Sequence, residues 1–297
     1  MNLQRLSGFV RLIAALAIPT GLHAAPITSN SALPVGEDEL LVRVQANYLQ
    51  TGSDPSGLGR KASVWAYPTV FVYGAGERLT LFGVLPFLEK NLDQAGRTRR
   101  GDSGLGDVRV LARYTLAQRD QPGETLRLGA FAGLELPSGE NGARDELGEL
   151  PAPLQLGSGS WDPIAGSVFT WQTLQWQLDA SASWKFNTQA DGYEFGDEAR
   201  LDLSFQYRLW PRELGAGVPG FFYAVLESNL VWRDRDRDFG GLVGDSGGFQ
   251  WFLGPGLQYV TQRWIAEAAV QIPVAQNLNG NSLENEFMAT AGIRFWY

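Results

Sequence analysis

From residue 40 onward, apolar and polar side chains alternate along the chain with a period of two, and helical spacing is scarce. The clearest stretch runs from Leu174 to Phe186. Leu174, Trp176, Leu178, Ala180, Ala182, Trp184 and Phe186 are apolar, and Gln175, Gln177, Asp179, Ser181, Ser183 and Lys185 between them are polar. Residues 199–209 repeat it, with Ala199, Leu201, Leu203, Phe205, Tyr207 and Leu209 set against Arg200, Asp202, Ser204, Gln206 and Arg208. Such alternation marks strands with one apolar and one polar face.

Twelve strands are predicted, at 40–49, 61–73, 77–89, 105–117, 124–136, 161–171, 174–186, 198–210, 220–232, 248–260, 263–274 and 285–297. They are longer than the five or six residues typical of soluble sheets and match the roughly 9 to 11 that a tilted strand needs to cross a bilayer. Connections near 74–76, 118–123, 172–173, 211–219 and 261–262 are short. Those near 50–60, 90–104, 137–160, 187–197, 233–247 and 275–284 are long and polar. This is the pattern of short periplasmic turns and longer external loops. On one strand face, Trp176 and Trp184, Trp251 and Tyr259, and Phe287 and Phe295 each stand eight residues apart. At about 3.3 Å per residue and a tilt near 40°, that spacing spans roughly 20 Å along the membrane normal, close to the separation of two aromatic girdles. A soluble barrel of the lipocalin kind alternates too, but it has no reason to segregate its loops by length. The fold class expected is all-β, a transmembrane antiparallel β-barrel of about twelve strands.

The last residues, Thr290-Ala291-Gly292-Ile293-Arg294-Phe295-Trp296-Tyr297, put Ala291, Ile293, Phe295 and Tyr297 on one face. They resemble the C-terminal insertion signal of bacterial outer-membrane barrels. As strand twelve this segment is expected to pair with strand one near Val42 to Tyr48 and close the sheet, leaving no edge in lipid. At the other end, Arg5 and Arg11, the apolar run Leu12 to Ile18 and the site Leu22-His23-Ala24 read as a secretory signal cut after Ala24. The apolar run is too short for a spanning helix. The expected organisation is a signal peptide at 1–24, a short periplasmic segment at 25–38 and a barrel at 39–297, placed in the bacterial outer membrane. Lipid and lipopolysaccharide, periplasmic chaperones and the barrel-insertion machinery are its expected partners.

Composition narrows the function. The chain has no Cys, and its one His is His23. Without Arg5 and Arg11, the 32 acidic residues face 22 basic ones, a net charge of −10. That balance argues against nucleic acid. A chain without His or Cys beyond the leader has no Ser-His-Asp or thiolate chemistry, no cofactor is implied, and no enzyme is expected. The run Arg233-Asp234-Arg235-Asp236-Arg237-Asp238 lacks the central Gly and terminal Glu of a calcium loop and reads as a solvated external loop.

If the apolar faces meet lipid, the opposite faces line the bore. The candidate pore-lining residues are Arg43, Asp107, Arg109, Arg113, Arg127, Glu135, Asp179, Arg200, Asp202, Glu227 and Glu267. Mixed charges across so narrow a space either pair and occlude it or line a constriction with a transverse field. Loop 137–160 either stays solvated or folds inward, and in the second case Trp161 becomes a candidate ligand contact.

Three segments go beyond general barrel features: Gly104-Leu105-Gly106-Asp107-Val108, Leu134-Glu135-Leu136-Pro137-Ser138-Gly139, and Leu156-Gly157-Ser158-Gly159-Ser160-Trp161-Asp162-Pro163. In this order they resemble the outer-membrane family named for the meta-pathway of phenol degradation. The resemblance implies a barrel that admits small hydrophobic or aromatic compounds by passive diffusion, and it carries no catalytic or binding residues. The alternative is a closed barrel with a structural or surface-interaction role.

Overall fold

The computed structural model describes residues 24–95, 98–213 and 220–297. The expected signal peptide therefore falls almost wholly outside the described residues. The long strands are β1 (Leu40–Thr51), β2 (Arg60–Gly74), β3 (Leu79–Gln94), β4 (Thr98–Leu105), β5 (Arg109–Gln121), β6 (Glu124–Glu135) and β7 (Asp162–Thr173). They continue with β8 (Trp176–Lys185), β9 (Glu198–Trp210), β10 (Phe221–Arg233), β11 (Gly248–Val260), β12 (Trp264–Leu278) and β13 (Asn285–Trp296). Neighbours pair antiparallel in chain order, and β13 returns to β1 to close the barrel. Val42 lies opposite Phe295 and Tyr48 opposite Ala289, so the closing strand takes the position its terminal pattern implies.

The barrel has twelve staves because β4 and β5 share one. The sequence suggests a continuous strand over 105–117. Instead, β3 runs on into a hairpin with β4, the chain breaks at 106–108, and β5 resumes below, pairing with β3 and β6. Within the main sheet β4 pairs with β3 alone. Short turns close the opposite end. The two-residue turn at 122–123 needs a left-handed residue, and Gly123 supplies it with φ of 81°.

Outward-facing side chains are exposed and apolar, as a lipid solvent demands: Phe71, Leu81, Leu85, Leu203, Phe205, Leu226, Leu257 and Ile272 among them. Aromatic contacts gather at the two ends of the apolar band. Tyr48, Trp65, Tyr67 and Phe87 form a chain toward the external loops, as do Trp184 and Trp232. Trp171 with Trp176, and Phe222, Tyr259 and Trp264, do so toward the short turns.

Of the segment expected at 25–38 as a short periplasmic stretch, most runs inside the bore, with residues 24–35 against the inward-facing side chains. Ala24 packs with Phe221, Tyr223, Val260 and Ile265, and Ala32 with Phe131 and Val168. The physical reason lies in its polar centre, Thr28-Ser29-Asn30-Ser31, which suits a polar lumen and gives this stretch bonding partners there.

Candidate functional site

The inward faces divide the bore into two unlike walls. From β8 around through β13 to β1 the wall is polar. It carries Gln177 and Asp179 on β8, Asp202 and Ser204 on β9, Glu227 and Asn229 on β10, Gln258 on β11, Glu267 and Gln271 on β12, Arg294 on β13 and Arg43 on β1, most of them buried. These side chains hold the inner segment. Glu227, fully buried, accepts from Ile27 N (2.8 Å), Thr28 N (3.0 Å), Thr28 Oγ1 (2.6 Å) and Ser204 Oγ (2.9 Å). Arg294 donates to Pro26 O at 2.5 Å, Gln45 to Ile27 O at 3.0 Å, and Arg43 also to Ile27 O. Glu267 sits between Arg43 (2.8 Å) and Arg294 (2.6 Å), so two guanidinium groups share one carboxylate. Thr170 accepts from Ala32 N at 2.7 Å and donates to Asp179 at 2.5 Å.

On β2, β3, β5, β6 and β7 the wall is largely apolar. Pairing puts Val72 beside Phe82, Val70 beside Val84, Pro68 beside Pro86 and Ala66 beside Leu88 on the inner face. Leu111 adjoins Phe82, and Val168 and Ile164 pack with Leu111 and Phe131. The glycines here make room: a Cβ on Gly166 would meet the Phe131 ring at 2.4 Å. No candidate pore-lining residue falls between Arg43 and Asp107, because a strand apolar on both faces loses its alternation. That loss was itself the available signal.

The candidate charges therefore fall into distinct places. Arg43, Asp179, Asp202, Glu227 and Glu267 lie on the polar wall at or around the inner segment. Arg113 reaches that segment from β5, donating to Leu33 O (2.7 Å) and Ser31 O. Arg109, with Lys185, pairs to Glu135, and its side chain is 49 % exposed to the bore above the segment. Arg200 pairs with Asp202 at 2.9 Å. Arg127 binds Asp120 near the short turns. Two residues do not face the open bore. Trp161, 57 % exposed, directly precedes the buried Asp162, so its side chain takes the outward parity and is not brought to the lumen. Asp107 is spent on structure: it accepts from Ser138 N (3.0 Å), Gly139 N (2.8 Å), Ser158 N (2.6 Å) and Ser158 Oγ (2.9 Å).

Asp107 explains the three sequence segments, which meet around it where the fourth stave breaks. Loop 137–160 is thereby drawn onto the inner side of β3 and β4. There Lys90 donates to Gln155 O (2.5 Å) and Arg100 pairs with Asp145 (2.7 Å). Leu150 and Leu154 pack with Ala143 against Leu92. Asp107→Ala is expected to release this loop and raise its cleavage by added protease at least tenfold. Unchanged cleavage in a barrel that keeps its heat-dependent gel shift would contradict the anchoring role. In the 233–247 loop, Asp236 is tied to Tyr193 OH (2.6 Å) and Gly196 N (2.8 Å), and burial together with Asp236 pushes the Tyr193 phenol up. Among the described residues no cluster of three or more His, Cys, Asp or Glu side chains could hold a metal ion.

A closed twelve-stave barrel with an apolar outer band, two aromatic girdles and a polar, occupied core is a bacterial outer-membrane β-barrel. The profile of the family described as "Putative MetA-pathway of phenol degradation" matches residues 41–276, and the chain belongs to that family. Its fold is similar to that of an outer membrane channel from Pseudomonas putida F1, with TM-score 0.66 and 16% identity over 92% of this chain and 100% of that one. More distant likenesses are the β domain of the Bordetella autotransporter BrkA (TM-score 0.45, 15% identity, 88% of this chain and 100% of that one) and the CymD monoaromatic hydrocarbon channel (TM-score 0.39, 10% identity, 88% and 89%). No curated protein matches the chain.

Proposed function

We propose that this barrel admits small hydrophobic or aromatic molecules by passive diffusion, along the apolar wall and past the inner segment. One observation carries the reading: the bore has an apolar face, Val70, Val84, Pro86 and Leu88, that residues 24–35 leave uncovered while they engage most of the polar face. A water-filled channel is lined with polar groups. Here the polar groups hold chain, and the surface left for a solute is hydrocarbon. A small apolar molecule gains about 25 cal/mol for each Å² it buries against such a wall, and a hydrated ion gains nothing.

The competing reading, a closed barrel with a structural or surface role, draws on the same inner segment. Ion conductance does not separate the two, since both leave the polar half sealed. Solute uptake does. Val70→Asp puts a carboxylate on the apolar path, and uptake of a radiolabelled arene such as toluene into proteoliposomes with a lipopolysaccharide outer leaflet, which is slow to admit apolar solutes, is expected to fall at least tenfold. A well-folded variant that takes up toluene at the parental rate would rule the route out, and absence of uptake by the parent would favour the closed barrel.

A further inference from the structure

Arg113 anchors the inner segment from the apolar side, as Thr170 on β7 does, and it is buried there without an acid in direct contact. Its guanidinium donates to Ser31 O, to Leu33 O at 2.7 Å and to Thr80 Oγ1 at 3.4 Å, and its face covers the Phe82 ring at 5.0 Å. Among the described residues it makes no ion pair. On the polar wall, by contrast, Arg43 and Arg294 share Glu267 and Arg200 has Asp202. A desolvated cation held by carbonyl dipoles and a π face, with Asp179 acting on it only from a distance, lacks a carboxylate in direct contact.

The missing charge has a place to arrive. A cleft beside Arg113 is lined by Asn30, Phe82, Leu111 and Phe131. Asn30 is exposed, so the cleft faces the open bore. Two aromatic rings, one leucine, one amide and one guanidinium without an ion pair make a surface for a flat apolar ring that ends in a carboxylate. Phe82 and Phe131 suit ring contacts, and the guanidinium fork matches two carboxylate oxygens. As it stands the cleft holds little more than a water molecule. A ring can enter only if residues 29–31 give way, and its carboxylate competes with Ser31 O and Leu33 O for the same donors.

We propose that the Arg113 cleft recognises a monocyclic aromatic carboxylate, and that its binding unlatches the inner segment. This rests on the channel reading above and adds to it: neutral arenes pass along the apolar wall with the latch closed, and aromatic carboxylates are a second class of solute that opens it. A solute that carries its own counterion for Arg113 removes two of the segment's attachments as it binds, so the path loosens when cargo is present. A neutral arene lacks the carboxylate and leaves the latch closed.

The chain beyond its leader has no Cys, so Ser29→Cys gives a unique label site on the segment. The rate of its reaction with a maleimide is read in detergent-purified barrels, with benzoate or toluene added. Benzoate is expected to speed labelling at least fivefold and toluene to leave it unchanged. With Arg113→Met added, labelling is expected to start fast and to ignore benzoate. Asn30→Asp, which supplies a carboxylate to the cleft from within, is expected to suppress the benzoate response at least fivefold, and it serves if the Met variant loses its heat-dependent gel shift. The proposal is overturned by no benzoate effect, by an equal effect of toluene, or by a benzoate effect that survives both substitutions. In those cases toluene uptake by the parent barrel still stands for the channel reading, whereas its absence defeats that reading separately.

Discussion

Glu227→Ala is expected to convert a tight barrel into an ion-conducting one. The Glu227 carboxylate accepts from Ile27 N, Thr28 N and Thr28 Oγ1, and no other acceptor serves those three groups so closely. Hydrogen bonds to a charged partner contribute roughly 1.5–3 kcal/mol each, and they do not add fully. A loss of about 3 kcal/mol shifts the docked-to-undocked ratio by roughly 100-fold. Arg43, Arg294 and Arg113 still hold carbonyls of the segment, so it loosens without leaving. Planar-bilayer recordings are expected to show at least a tenfold rise in open time over the parent. Glu227→Gln keeps acceptor capacity on one oxygen and is expected to fall between the two. Recordings of Glu227→Ala that match the parent would mean that the segment does not depend on this carboxylate.

The second large effect is on the closure of the barrel. Glu267 on β12 binds Arg43 on β1 and Arg294 on β13, which brackets the seam where the last strand meets the first. Gln45 and Gln258 add donors at 3.0 and 3.1 Å, so the carboxylate is saturated. Glu267→Ala leaves two guanidinium groups facing each other in a buried site. Removing one partner of a buried ionic network costs about 3–5 kcal/mol. The temperature at which the folded band converts to the unfolded band on a gel is expected to fall by about 10 °C. The comparison variant is Glu286→Ala, whose exposed carboxylate binds only Gln50 and is expected to produce no measurable shift. Equal transition temperatures for parent and Glu267→Ala would show that backbone pairing alone holds the seam.

The strands were legible in the chain because lipid imposes one rule on every stave: each second residue must be apolar. That rule yields the twelve staves and the pairing of the last strand with the first near Val42 to Tyr48, and it needs no knowledge of the interior. The interior obeys no such rule. On β8 and β9 the inward residues are polar and the alternation is sharp. On β2 and β3, Val70, Val72, Val84 and Leu88 face inward while Phe71, Leu81 and Leu85 face lipid, so the pattern blurs where the bore is most distinctive. The inner segment was illegible for a different reason. Residues 24–35 form no regular element, and their place depends on partners some 140 to 230 positions away, Thr170, Glu227 and Gln258. Gly104–Val108, Leu134–Gly139 and Leu156–Pro163 were visible as a set, but their purpose was not. Only the folded chain shows them gathered by Asp107 at the break in the fourth stave.

The proposed function requires a bore closed to ions along its polar wall and open to apolar solutes along the other. The most direct test measures both fluxes in one preparation of proteoliposomes that carry the parent barrel in a membrane with a lipopolysaccharide outer leaflet. Radiolabelled toluene is expected to enter well above protein-free vesicles while ion leakage stays at background. Ion leakage with no toluene uptake above background would contradict it.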